Sequence, residues 1–352
     1  MILNWFQRPL LTLIIFSFSV NVHSLLHALI DLDSMAQDFV LETKKIEIPG
    51  YPYAFNPAIV RWNEKVLMSF RIRDPLAETT GEIGFVELDE NLDIVSSPLI
   101  LKIQYKELNT DLFTQDPRLL NIGNDLYAVF NNVVKVIDNR KIRRMYVGKV
   151  ERDEENFFIK SPQVLLQFDC EQEKKDEKNW VPFEYEKNLL LSYSLVPHRI
   201  FLYMEGSEAC DILALSTRKV KWDWGQLRGG TPALLHNNEY LAFFHSVKDL
   251  ITVQSNGQRM THYFMGAYTF NQEPPFALTK ISSKPIIAKK FYNGNHYKTW
   301  KPLRVVFPVG FIFDEETIWV SYGRQDHEIW IAKLDKAGLF KSLATVQNEE
   351  FP

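Results

Sequence analysis

Cysteine is scarce: Cys170 and Cys210 are the only two in 352 residues. Neither sits in a C-x-x-C motif, which excludes a thiolate zinc site and a dithiol redox centre. Their separation leaves two options open, a disulfide in an oxidising compartment or two buried thiols. No N-x-S/T sequon occurs. No run of five basic residues occurs either, and the formal net charge is −4. That balance excludes nucleic acid as a partner. H-E-x-x-H, G-x-S-x-G, G-x-G-x-x-G and the EF-hand loop are all missing, so metal catalysis, serine hydrolysis and a resident dinucleotide have no support. Strong helical periodicity is missing beyond the N-terminus.

The N-terminus holds the one conspicuous apolar run, Leu10–Val20, behind a single positive charge at Arg8. The run is short for a bilayer crossing, and Val22-His23-Ser24 has the small-residue character of a cleavage site. Residues 1–24 therefore read as a signal peptide, with an uncleaved N-terminal anchor as the alternative. Either exports the rest, as a secreted, periplasmic or lumenal protein. Only in the anchored case does the chain touch a membrane.

What is abundant is aromatic residue, 13% of the chain, which suits strands and also suits stacking on sugars. The chain also repeats itself. Each copy has a polar or aromatic residue, a proline, an apolar strand, a tight turn and a second apolar strand ending in a polar group. The copies are Asn56-Pro57 to Arg71, Asp116-Pro117 to Asn131, Trp180-Val181-Pro182 to Tyr193, Thr231-Pro232 to His245, and Phe307-Pro308 to Tyr322. A third apolar strand follows each one, and the turns are rich in Asn, Asp, Glu and Gly. The prolines recur 50 to 76 residues apart, the size of a propeller blade. The reading is all-β, a five-bladed β-propeller over residues 51–335, with a lead-in at 25–50 and a tail at 336–352. A two-sheet sandwich is the structural alternative.

A purely structural repeat would place like residues at like positions. Here the residues beside the prolines and at the second-strand ends differ from copy to copy, and many are polar or charged. Their convergence on one axis is the functional signal. The residues singled out are Asn56, Arg71, Arg73, Asp116, Arg118, Lys178, Asn179, Arg228, Gly230, Thr231, His245, Tyr322 and Asp326. Each has a plainer reading: Asp116 as a turn cap, Asp326 as a hairpin residue, Lys178 as part of a solvated charge run, His245 as a core histidine. The Arg228-Gly229-Gly230-Thr231 glycines suggest close backbone approach to a ligand. The basic, aromatic link from Lys289 to Arg304, with Tyr292, His296, Tyr297 and Trp300, suggests a flap or else a surface loop.

Asn56-Pro57, Asp116-Pro117-Arg118, Glu177-Lys178-Asn179-Trp180, Gly229-Gly230-Thr231-Pro232 and Tyr322-Gly323-Arg324-Gln325-Asp326 together resemble glycoside hydrolase family 130. That family holds β-mannoside phosphorylases and hydrolases on a five-bladed propeller and is related to β-mannosyltransferases. The resemblance implies inverting chemistry on β-mannosidic bonds, with Asp116 as general acid and Asp326 against the sugar. It implies no cofactor; inorganic phosphate, a sugar phosphate or a nucleotide sugar would be a co-substrate. A phosphorylase needs the acid and a cationic pocket, for which Arg71, Arg73, Arg118, Lys178, Arg228 and His245 are available. A hydrolase needs a second carboxylate, for which Glu184 and Asp326 are available. Gln115 stands where the family motif has Glu, which motivates a non-catalytic glycan-binding propeller as the alternative. A scaffold for protein partners is the third option.

Overall fold

The computed structural model describes residues 29–73, 81–105, 113–138, 140–167, 175–207, 209–295, 297 and 301–347. Cys170, His296, Lys298 and Trp300 lie outside them, as does the N-terminal run.

The repeat becomes five four-stranded antiparallel blades. The first is Ala54–Trp62, Lys65–Arg73, Gly81–Leu88 and Leu99–Gln104; the second is Thr114–Ile122, Asp125–Ile137, Arg140–Arg152 and Phe157–Lys160. The third is Val181–Tyr185, Asn188–Ser194, His198–Leu202 and Ala209–Ser216. The fourth is Leu234–His236, Glu239–Ile251, Arg259–Asn271 and Leu278–Ser282. The fifth is Leu303–Phe313, Thr317–Arg324 and Glu328–Asp335, and it takes its outer strand, Val40–Ile46, from the segment read in the sequence as a lead-in. That segment is polar in its middle, Glu42-Thr43-Lys44-Lys45, with Ile46 buried at its end, as suits an outer strand that meets water. The tail is likewise part of the fold. Asp335 caps the short helix Lys336–Ser342 by accepting from Gly338 N, and Leu343–Thr345 then pairs with Leu278–Ser282 of blade four.

The first turn of blades one, three and four is chemically prepared. Asn63-Glu64, Glu186-Lys187 and Asn237-Asn238 all hold positive φ at both positions, the backbone of a two-residue hairpin whose twist matches the strands. Apolar side chains fall into five clusters, one between each neighbouring pair of blades. Phe85 and Phe157 join blades one and two, Leu120 and Trp180 join two and three, and Phe183 and Phe270 join three and four. Phe243 and Phe311 join four and five, and Met68 and Ile331 join five and one. A two-sheet sandwich would bury one central core. A closed ring of five interfaces is a propeller.

Candidate active site

Two prolines set the centre of the site. Pro57 and Pro117 sit inside inner strands, where a missing N–H is tolerated at a sheet edge or a bulge. The pairing register slips there, between Phe55 and Ala58 and between Gln115 and Arg118. Asn56 and Asp116 occupy the bulges with φ of 50° and 51°. Asn and Asp are the side-chain-bearing residues that accept this left-handed backbone most readily. The bulges re-aim both side chains, and they meet: Asn56 Nδ2 donates to Asp116 Oδ1 at 2.9 Å. Arg71 Nη1, from the end of the second strand of blade one, stands 3.5 Å from the same oxygen.

Arg118 is fully buried beneath them. Its guanidinium donates to the Gly230 carbonyl, to the Asp116 carbonyl at 3.1 Å and to Asn179 Oδ1 at 3.1 Å. One planar fork thus ties blade two to blades three and four. The fork needs Gly229 and Gly230 as they are. A Cβ on Gly229 would lie 2.0 Å from the Asn179 carbonyl oxygen, and one on Gly230 would lie 2.4 Å from the Phe243 carbonyl oxygen. The close approach expected from these glycines is made here to neighbouring backbone.

Charges gather over this floor. Burial alone would push the Asp116 carboxyl up, but the Arg71 charge, the Asn56 amide, Arg118 and Lys178 hold it below the usual carboxylate range. Asp326 goes the other way: burial raises it, and repulsion from Asp116 adds, against the pull of Arg71, Arg73 and Lys178. The Lys178 ammonium is lowered by burial and then by Arg143 and Arg228, opposed by Asp176 and Asp116. Burial also lowers the Arg118 guanidinium, to about 10. Arg71 and Arg73 both lie over the Phe55 ring, at 4.8 and 4.7 Å from its centroid. Asn56, Arg71, Arg73, Asp116, Arg118, Lys178, Asn179, Arg228 and Asp326 therefore share one electrostatic neighbourhood on the axis.

His245 reaches the same place in a different role from the cationic one considered in the sequence. It is buried between the rings of Tyr263 and Phe307. Its Nδ1 meets the Gly229 carbonyl at 2.9 Å, and since a carbonyl only accepts, Nδ1 carries the proton. Burial, then Arg228 and Arg118, put its pKa well below the usual value. His245 is a neutral imidazole at neutral pH and offers Nε2 as an acceptor.

Some residues singled out in the sequence belong to the interior. Thr231 Oγ1 donates to the Pro232 carbonyl and accepts from Phe243 N. Tyr322 is fully buried against Phe291. Glu184 is held in a hairpin turn, accepting from Lys187 N at 2.7 Å, so it is not a second carboxylate for the axis. The first half of the Lys289–Arg304 link is core and not flap, since Phe291 and Tyr292 are buried between blades four and five. Tyr297 does reach the rim, where it stacks on His327 at 4.2 Å between centroids.

Sequence reasoning overlooked Arg143 and Asp176. Arg143 Nε donates to Gln115 Oε1 at 3.1 Å, and its Nη1 reaches both oxygens of Asp176, at 3.2 and 3.0 Å. Lys178 Nζ lies 3.6 Å from the same carboxylate. The available signal was the Arg143-Arg144 doublet within the third strand of blade two. Among the described residues no group of three or more His, Cys, Asp or Glu could hold a metal ion.

Comparison with known proteins agrees with this arrangement. The model of glycoside hydrolase family 130, described as β-1,4-mannooligosaccharide phosphorylase, matches residues 30–344. A mannose phosphorylase from Leishmania mexicana, solved with phosphate ion, is 14% identical over 91% of this chain and 95% of its own, with a TM-score of 0.61. A β-1,2-mannobiose phosphorylase from Listeria innocua, solved with β-1,2-mannobiose, is 15% identical over 88% of this chain and 96% of its own, with a TM-score of 0.56. A crystal structure from Bacteroides thetaiotaomicron is 16% identical over 81% of this chain and 87% of its own, with a TM-score of 0.60. No curated protein matches. Set beside the ring of five blades and the charged axis, the match over nearly the whole described chain makes this protein a member of glycoside hydrolase family 130, the mannoside phosphorylases and hydrolases.

Proposed function

We propose that the protein is an inverting β-mannoside phosphorylase with Asp116 as its general acid. One observation carries the reading. Arg71, Arg118, Arg143, Lys178 and Arg228 crowd the axis, against Asp116, Asp326 and an Asp176 already engaged by Arg143. A hydrolase needs a carboxylate base to activate water, whereas phosphate needs only charge to hold it. In the reaction, Asp116 gives its proton to the glycosidic oxygen as the bond from the anomeric carbon to that oxygen breaks. A phosphate oxygen forms its bond to the same carbon from the opposite face. The products are α-mannose 1-phosphate and the shortened glycan, and the Asp116 carboxylate then takes a proton from solvent.

Without an anion, Arg71 and Lys178 hold Asp116 ionised, the wrong state for an acid. An anion bound to those cations would relax that hold and raise the carboxyl toward its working state. Phosphate would thus be both nucleophile and the trigger that protonates the acid. Asp326, whose pKa is raised, suits hydrogen bonding to sugar hydroxyls. The test is incubation with β-linked manno-oligosaccharides, with and without phosphate. Mannose 1-phosphate formed only with phosphate supports the reading. Free mannose without phosphate assigns a hydrolase, extension from GDP-mannose or mannose 1-phosphate a transferase, and binding without turnover a glycan-binding propeller. An N-terminal export segment completes the proposed assignment, placing the enzyme outside the cytosol.

A further inference from the structure

The second and third strands of blade four do not stop at the site. Their pairing continues past His245↔Met265 to Ile251↔Arg259, six residues further, so the hairpin stands about 20 Å beyond the floor of the site. It rises from the end of the ring at which Arg71, His245 and Asp326 lie. Beside its polar turn, where Asn256, Gly257 and Gln258 are exposed, large aliphatic side chains also face water: Ile251 is 43% exposed and Val253 46%. A second stretch of chain adds to them. Ile30 bridges in parallel to Thr252, Val253 N donates to the Ile30 carbonyl at 2.9 Å, and Leu29 and Ile30 are 48% and 37% exposed.

The tip is built and not frayed. Gln254 Oε1 accepts from Leu32 N at 3.0 Å and its Nε2 donates to Asp31 Oδ1 at 2.7 Å. Thr252 and Ser255 exchange bonds, each accepting from the other's N–H at 3.0 Å. Thr252 Oγ1 also meets His262 Nε2 at 3.1 Å, and these three side chains are buried. Buried polar groups lock an apolar knuckle that presents four aliphatic side chains outward, with exposed Arg259 at its neck. The mechanism uses none of these residues.

What lies beside this knuckle is set by the sequence. Leu29 and Ile30 close a stretch from Pro9 to Ile30 that holds no Asp, Glu, Lys or Arg, 22 residues between Arg8 and Asp31. The apolar run Leu10–Val20 is by itself short for a crossing, but the whole stretch to Ile30, which lacks Asp, Glu, Lys and Arg, has the length of a segment held in a hydrocarbon core. Any membrane it enters begins where the knuckle stands. We propose that the knuckle formed by Leu29, Ile30, Ile251 and Val253 is a wedge seated in the surface of a lipid bilayer, beside an uncleaved N-terminal anchor. Aliphatic side chains enter the acyl boundary and Arg259 lies at the level of the head groups. The open end of the propeller axis is then held toward the membrane. This inference does not depend on the reaction proposed above.

The test uses the full chain, reconstituted in vesicles of phosphatidylethanolamine and phosphatidylglycerol that carry a diazirine on an acyl chain. After illumination, lipid adducts are mapped by peptide mass spectrometry. Adducts are expected on the Leu250–Gln258 peptide as well as on the N-terminal stretch. In the double variant Ile251→Asp and Val253→Asp, at two exposed positions the fold does not need, the hairpin adducts are expected to fall by about tenfold or more while the N-terminal ones persist. Adducts confined to the N-terminal stretch, or an absence of adducts anywhere, would each overturn the proposal.

Discussion

Asn56 and Asp116 stand on different blades, each on a bulge beside a proline, and the amide of one donates to the carboxylate of the other at 2.9 Å. The bond favours the ionised carboxylate. Asn56→Gly keeps the left-handed backbone and removes the amide. The pKa of Asp116 is then expected to rise. Activity that needs the protonated acid is lost as pH rises through that pKa, so the alkaline limb of the kcat/KM profile should move to higher pH. An unmoved limb would show that the bond does not tune the acid.

Phosphate should make the protein take up protons. Calorimetric titration with phosphate in buffers of differing ionisation enthalpy reads that uptake directly. A larger uptake by the parent than by Asp116→Asn is expected. Equal uptake would separate anion binding from the acid. Asp116→Asn is also expected to lower turnover by about a thousandfold or more.

Arg118 serves three acceptors on three blades. Arg118→Lys keeps the charge and loses the fork, so a loss of about 3 kcal/mol in urea unfolding is expected, well above a surface substitution. The carbonyl of Gly230 and the amide of Asn179 would be left without their donor.

Gly229→Ala places a methyl group against the Asn179 carbonyl. The blades must part there, and Asn179 carries the guanidinium beneath Asp116. A loss of about 2 kcal/mol or more is expected, with kcat falling more than KM changes. Normal stability and turnover would mean the two backbones yield freely.

Buried histidines predict an acid-sensitive fold. His198 and His262 are both lowered by burial to about 4, against backbone acceptors that pull them up. The unfolded chain takes up protons at these sites near pH 6.5 while the folded chain does not. Their stabilising contribution is complete above that pH and declines as pH falls toward 4. The urea midpoint should fall between pH 7 and pH 5, and the fall should be smaller in His198→Gln.

The blades were legible because the repeat is written in local chemistry. Proline, short apolar runs and Asn or Glu turns each act within a few neighbours, and they placed all five second strands and all five third strands. Val40–Ile46 was not legible as the outer strand of blade five, because its partner lies almost three hundred residues away and its pattern is half polar. Within the site, Asp116, Asn56 and Asp326 could be reached through motifs. Arg143 and Asp176 could not, since a doublet of arginines does not say which one turns inward. His245 shows the opposite limit. Its position was readable, but its protonation depends on Gly229 and two rings from other strands.

Blade five is finished by the earliest of the described strands. That strand has no partner until Glu328–Asp335 exists, close to the end of the chain. The order of synthesis therefore leaves the ring open, and the axis unassembled, until blade five has been made. Catalysis cannot precede completion: a chain cut short after blade four would hold Asn56, Asp116 and Lys178 but neither Asp326 nor the wall that encloses them.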